Sequence, residues 1–204
     1  MKSNKMKIIS WNVNMDHGSV DVPYKTEALV RYVRDLDPDV IFLQETCAYT
    51  NKKIGALGYA CYGMTRTHMM FCSILARNGI APADYKEYPQ MGQSITLNGI
   101  EMVNCHLTPF KENSLRRRRQ TAPFDRPKTF LMGDFNTDGD MNFEFLTESE
   151  VSKSDLQPTW HLSYFQRGSD VKKRFDRVFT DAKILGYRVH KILFSDHYPV
   201  EAEI

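Results

Sequence analysis

Short apolar runs alternate with polar segments along the chain, and most of the runs have the length of strands. Met6–Val13 is apolar and closes on polar residues, and Asp39–Glu45 is a short buried run ending in a carboxylate. Tyr59–Met64, Met69–Arg77 and Ser94–Leu97 read as strands of a meander, and Asn98-Gly99 is a hairpin signal leading into Ile100–Leu107. Thr129–Phe135, Arg174–Thr180, Tyr187–Phe194 and Val200–Ile204 complete the strands. From Pro23 to Leu36 the period changes: Leu29, Val33 and Leu36 recur at helical spacing, with Pro23 suited to a first turn and Asp37-Pro38 to a stop. Lys111–Thr121 is predicted as a basic helix, and Asn142–Leu146 as the start of a short one. With no repeat, linker or low-complexity tract, the pattern predicts one domain over residues 1–204, built from two sheets covered by helices.

Composition changes this picture little. A chain of 204 residues can bury a real core. Its 27 basic and 25 acidic residues nearly cancel, so no whole-molecule field argues for a polyanionic partner. The basic residues are nonetheless clustered, at Arg116–Arg119 and at Lys172-Lys173-Arg174 with Arg177. Cys47, Cys61, Cys72 and Cys105 form no CxxC pair and fall in or beside apolar segments, which suits reduced thiols in an intracellular protein, nuclear or cytoplasmic. No apolar leader follows Met1–Lys7, and no run approaches the roughly 18 apolar residues of a membrane span, so no membrane partner is expected.

The chemistry collects at the strand ends. In Gly133-Asp134-Phe135-Asn136, strand alternation puts Asp134 and Asn136 on one face and Phe135 in the core. Ser195-Asp196-His197 stands at the start of the last strand. Metal-assisted hydrolysis of a phosphodiester needs a positioned water, a cation and a donor for developing charge, and these groups supply that set. Glu45 is a hard anionic oxygen ligand suited to Mg²⁺. Asn12 and Asn14 share a strand face beside it. The bland alternatives are Asx turns for the Asp and Asn residues, a structural hydrogen bond for His197, a core position for Trp160 and a solvated helix face for Arg116–Arg119.

Six segments occur in order: Trp11-Asn12-Val13-Asn14, Gln44-Glu45-Thr46, Asn104-Cys105-His106-Leu107, Gly133-Asp134-Phe135-Asn136, Arg174-Phe175-Asp176-Arg177 and Ser195-Asp196-His197. From residue 11 to 200 the series resembles the endonuclease/exonuclease/phosphatase superfamily of Mg²⁺-dependent phosphoesterases. The resemblance implies an α/β (α+β) fold, a four-layer α/β/β/α sandwich of two mostly antiparallel or mixed sheets flanked by helices. It implies Glu45 as the ligand of Mg²⁺, with Mn²⁺ able to substitute, and Asn12, Asn14 and Asp196 as groups that orient or complete the metal side. Asp134, with Asn136, would orient or deprotonate the attacking water. His197, buttressed by Asp176, and His106 would stabilise the transition state.

His106-Leu107 resembles the tyrosyl-DNA phosphodiesterase 2 branch and also the sphingomyelinase, phosphatase and deadenylase branches, whereas Pro158-Thr159-Trp160 and Arg174-Phe175-Asp176-Arg177-Val178-Phe179 resemble the first in particular. That likeness implies a monomeric DNA-repair phosphodiesterase acting on DNA with a single-stranded 5′ end or a 5′-phosphotyrosyl adduct left by a trapped topoisomerase, leaving a 5′-phosphate. Trp160, Thr108, Arg116 and Arg177 are the expected substrate contacts. The chain departs from the branch at three places: Thr137-Asp138 stands where Leu-Arg is usual, Thr108-Pro109 where Glu-Ser is usual, and His161 follows the Trp in place of Asp. An AP endonuclease, an exonuclease or a broader phosphoesterase therefore stays open. A nucleic-acid-binding protein without catalysis is the alternative of another class, and the intact Glu45, Asp134, Asn136, Asp176 and His197 set speaks against it.

Overall fold

The computed structural model describes residues 5–15, 22–67, 70–148, 157–161, 171–192 and 194–204. The first half of the chain forms Lys7–Asn12 (β1), Val22–Leu36 (α1), Val40–Thr46 (β2), Ala48–Gly55 (α2), Tyr59–Arg66 (β3), Phe71–Arg77 (β4), Tyr85–Tyr88 (β5), Gly92–Leu97 (β6) and Ile100–His106 (β7). The second half forms Ser114–Thr121 (α3), Thr129–Asp134 (β8), Thr147–Glu148 (β9), Trp160–His161 (β10), Lys172–Lys173 (β11), Asp176–Thr180 (β12), Gly186–Val189 (β13) and Val200–Glu203 (β14). Two six-stranded sheets result, ordered β13-β14-β1-β2-β4-β3 and β5-β6-β7-β8-β12-β9, with β10 and β11 as a small separate ribbon. Both sheets are mixed: β1–β2 and β7–β8 are parallel, and the neighbouring pairs are antiparallel.

The central strands are apolar on both faces because each face meets a layer. Along β2, Val40 and Phe42 enter the core between the sheets, where Ile8, Met102, Phe130 and Met132 meet them. Ile41 and Leu43 point the other way, onto Leu29 and Val33 of α1 and Ile54 of α2. Leu131 of β8 packs outward against Phe124 and Leu146, beneath α3 and the adjoining 3₁₀ turns. The layers are thus α/β/β/α, as the resemblance implied.

The two parallel pairs position the site. Register places Asn12 beside Gln44 and His106 beside Asp134, so four motif ends emerge at one edge of the sandwich. Between the sheets, Gln44 Nε2 donates to Asn104 Oδ1 at 2.7 Å, and Asn104 Nδ2 donates to the carbonyls of Leu43 at 3.0 Å and Ser73 at 2.9 Å. These buried bonds fix how far one sheet slides on the other. Gly133 permits the tight β7–β8 approach: its φ is 150°, and a Cβ there would lie 2.0 Å from the Cys105 carbonyl oxygen. Gly133→Ala is expected to cost on the order of 3 kcal/mol in urea unfolding, and a loss below about 1 kcal/mol would show that the strands part easily.

One predicted element is absent. Asn142–Leu146 forms no helix, because the backbone N–H groups of Glu144, Phe145 and Leu146 donate to the Asp125 carboxylate at 2.6, 2.8 and 3.3 Å. The basic helix begins only at Ser114, after Phe110 turns the chain with a φ of 73°. Met69 and Leu193, at the ends of two predicted strands, lie outside the described residues. Helix α2 and the short strands β5, β9, β10 and β11 carry too few residues for periodicity to mark them. All four cysteines are free thiols, with Cys61 exposed and the others buried. Among the described residues, no helix is long and apolar enough to cross a membrane.

Candidate active site

Turns, more than strand faces, place the two leading motifs. Strand β1 ends at Asn12 and β8 at Asp134; the chain then passes through left-handed Asn14 (φ 45°) and Asn136 (φ 50°). The N–H of Asn14 donates to Asn12 Oδ1 at 3.1 Å, and that of Asn136 to Asp134 Oδ1 at 2.8 Å. Both are Asx turns, a conformation that Asn tolerates in the left-handed region. The turns leave Asn12 Nδ2 and Asp134 Oδ2 facing each other at 3.1 Å. A third local bond orients the last motif: the His197 N–H donates to Ser195 Oγ at 3.1 Å, and that hydroxyl donates to the Asn12 carbonyl at 2.7 Å.

Glu45 sits at an irregularity in β2 with a φ of 52°, which turns its carboxylate toward the strand ends. Its Oε1 accepts from Asn12 Nδ2 at 2.9 Å, so one amide bridges Glu45 and Asp134. His106 Nε2 lies 3.6 Å from both carboxylates, and its Nδ1 lies 3.2 Å from Thr67 Oγ1. Asn136 Nδ2 donates to the Leu107 carbonyl at 2.9 Å and to Asp134 Oδ2 at 3.2 Å.

His197 and Asp176 meet as expected, Nδ1 to Oδ2 at 2.8 Å, both fully or nearly buried. Register explains the encounter: Asp176 of β12 faces Asp134 of β8, and Thr159 Oγ1 accepts the Asp176 N–H at 2.9 Å. Burial opposes charge on the imidazole, but the Asp176 and Asp134 carboxylates outweigh it and raise the His197 pKa to about 10. Burial raises Asp176 to about 6 against the pull of His197. Nε2 of the imidazolium points at the site, 3.8 Å from Asp134 Oδ2. A reaction that uses the charged imidazole loses it as pH rises through the folded pKa. Asp176→Asn removes the largest raising charge, so the alkaline limb of kcat/KM is expected to move down by about one to three pH units; an unmoved limb would assign it to another group.

Glu45, Asp134, Asn136 and His197 line the floor of a cleft of about 620 Å³. One wall is aromatic. Trp160 packs against Phe175 with centroids 5.3 Å apart and the rings tilted by 31°, and its Nε1 donates to Asp196 Oδ2 at 2.8 Å. Asp196 Oδ1 accepts from Asn14 Nδ2 at 2.8 Å. Asp196 and Asn14, expected on the metal side, are thus committed to each other and to Trp160. Phe110, Lys111, Arg117, Asp138 and Lys173 also line the cleft.

Three expected substrate contacts are placed elsewhere. Arg177 is buried, clamped to Glu148 at 2.7 and 3.0 Å and donating to the Gly139 carbonyl at 2.7 Å. Arg116 is exposed outside the cleft and bonds Gln90. Thr108 is buried beneath α3, where its carbonyl accepts from Arg117 Nη1 at 3.0 Å. Within the basic run it is therefore Arg117 that reaches the cleft. Reading the run as one block concealed this, although helical phase separates neighbouring residues by about 100°.

The donor set suits a divalent cation held by oxygen. Glu45 Oε2 has no protein partner among the described residues, and Asp134 and the Asn12 amide adjoin it. Asp134, Asp176 and His197 also lie within 4.8 Å of one another. Within that trio His197 Nδ1 is already engaged by Asp176 at 2.8 Å, so Nε2 is the ring atom that faces Asp134. Hard carboxylate oxygens suit an oxygen-ligated divalent cation.

Residues 9–197 match the family model described as Endonuclease/Exonuclease/phosphatase family. Among curated proteins, none matches the chain in sequence. Truncated TDP2 of Caenorhabditis elegans has a similar structure: TM-score 0.78, 20% identity, covering 98% of this chain and 97% of that one. D. rerio TDP2, complexed with single strand DNA product, has a TM-score of 0.76 at 18% identity, covering 98% of each chain. An endonuclease/exonuclease/phosphatase from Bacteroides vulgatus has a TM-score of 0.76 at 14% identity, again covering 98% of each.

Proposed function

The chain belongs to the endonuclease/exonuclease/phosphatase family, whose members are hydrolases of phosphoester bonds and generally depend on a divalent metal, and from this we propose that it is a Mg²⁺-dependent phosphodiesterase acting on 5′-blocked DNA. The observation that carries this reading is the convergence of Glu45, Asp134 and His197 on one cleft beside an aromatic wall, with His106 Nε2 3.6 Å from both carboxylates. Glu45, with Asn12 and Asp134 adjoining, would hold Mg²⁺, or Mn²⁺ in its place. When bound, the cation neutralises phosphate charge and acts as a Lewis acid on a phosphate oxygen.

The chain's own residues account for the rest. Asp134 takes a proton from the attacking water, whose oxygen bonds to phosphorus as the leaving oxygen departs. Asn12 and Asn136 hold the Asp134 carboxylate still through three hydrogen bonds. His197 and His106 donate to phosphate oxygens as negative charge builds. Trp160 and Phe175 offer a face on which an unpaired base stacks. A tyrosine leaves as phenolate, needs little help from a general acid, and leaves a 5′-phosphate behind.

The aromatic wall, and the zebrafish relative complexed with single strand DNA product, support single-stranded DNA as substrate and with it a role in DNA repair. The acidic Asp138 in the cleft favours keeping a broader phosphoesterase as the second reading. A panel at fixed Mg²⁺ separates them: a 5′-tyrosyl oligonucleotide, an abasic duplex and an inositol phosphate. The tyrosyl substrate is expected to turn over fastest, and EDTA is expected to abolish turnover until Mg²⁺ or Mn²⁺ is restored. If the tyrosyl substrate is slowest, the specific reading is wrong; if metal restores nothing, the metal role is wrong.

A further inference from the structure

One ion pair in the cleft has no part in the hydrolysis. Lys173 Nζ donates to Asp138 Oδ2 at 2.8 Å, and both residues line the cleft with Glu45, Asp134 and His197. Their side chains are 43% and 47% exposed, so the pair adds little to stability and its partners exchange readily.

The two ends are held differently. Asp138 lies in the loop after Asn136. The next residue, Gly139, is pinned through its carbonyl to Arg177 at 2.7 Å, and Arg177 is itself locked onto Glu148. The Gly139 N–H also donates to Thr137 Oγ1 at 3.2 Å. Lys173 is the β11 partner of Trp160, so its long flexible stem rises from the same ribbon as the aromatic wall. The loop that carries the carboxylate is anchored, and the ammonium is on a tether.

We propose that Lys173 is the docking cation for a phosphate adjacent to the scissile one, and that Asp138 masks it until such an anion arrives. The site thereby selects phosphoesters that carry a second negative group, such as oligonucleotides, over isolated phosphodiesters. An uncharged group cannot displace a carboxylate from an ammonium, whereas a phosphate offers equal charge and more acceptor oxygens. A substrate without a second anion leaves the pair closed and gains nothing from Lys173. This rests on the phosphoesterase reading of the cleft.

The test is anisotropy of a fluorescent single-stranded trinucleotide on the metal-free full chain in EDTA, with a labelled single phosphodiester for comparison. Lys173→Met is expected to weaken trinucleotide binding roughly tenfold and to lower the slope of log affinity against log salt by about 0.7. The preference over the single diester falls by the same factor. Asp138→Asn is expected to tighten trinucleotide binding about two- to fivefold, and to lose that effect when Lys173 is also Met. An unchanged salt slope in Lys173→Met, or equal tightening by Asp138→Asn with and without Lys173, overturns the proposal. Turnover by the wild type with Mg²⁺ is scored separately. Its absence with the binding pattern intact overturns the phosphoesterase reading and leaves the anion site standing, and the reverse outcome removes the anion site alone.

Discussion

Asp134→Asn is expected to lower kcat on a chromogenic phosphodiester by about 10²–10⁴-fold while the protein stays folded. The carboxylate is buried at the end of β8 and is the acceptor at the centre of the floor, taking hydrogen bonds from Asn12 Nδ2, Asn136 Nδ2 and the Asn136 N–H. An amide at this position still accepts the backbone N–H that forms the Asx turn. Its other half becomes an NH₂ group facing two donors, which costs about 1–3 kcal/mol and leaves no base for water. The measurement is kcat at saturating Mg²⁺ beside the thermal midpoint by circular dichroism. A near-native kcat sinks the assignment of Asp134, and a collapsed melting transition would show that the loss is structural.

The second large effect is expected at His197. Removing a donor aimed at developing negative charge costs about 10²–10³-fold in kcat. His197→Ala also strands Asp176, whose Oδ1 has no hydrogen-bond partner among the described residues and whose Oδ2 loses the imidazole. Breaking a buried pair from one side destabilises by about 3–5 kcal/mol. Asp176 already titrates high, at about 6, because burial disfavours its charge. Without His197 the opposing pull is gone, so the carboxyl binds a proton more readily, and the lost stability should return as pH falls. His197→Ala combined with Asp176→Asn separates the roles: stability is expected to recover and activity is not. Recovery of both would make the pair structural. Recovery of neither would show that the imidazole ring is needed for packing.

Strand alternation predicted that Asp134 and Asn136 share a face, and they do meet, but through an Asx turn beyond the end of the strand. The polar turn chemistry that competed with the catalytic reading is therefore the device that builds the site. The helix expected at Asn142–Leu146 failed for a non-local reason: Asp125, far away in sequence, captures three of its N–H groups. Arg177 was expected to touch substrate because it adjoins Asp176. Along a strand, neighbours face opposite ways, so a catalytic Asp176 sends Arg177 to the other side of its sheet, onto Glu148.

By itself, the sequence determined the strand-rich sandwich and the order of its polar strand ends, because hydrophobic period and turn chemistry are local. Glu45, Asp134 and His197 were legible for that reason, since each ends or begins an apolar run, whereas the role of Asp176 came from the family resemblance. Only the tertiary structure decided which charges face the cleft. Arg117 and not Arg116, Lys173 held by Asp138, and Asp196 spent on Trp160 all depend on distances between segments remote in the chain. Such pairings arise when two parallel strand pairs, one in each sheet, bring their ends to a common edge, and no local pattern encodes that meeting.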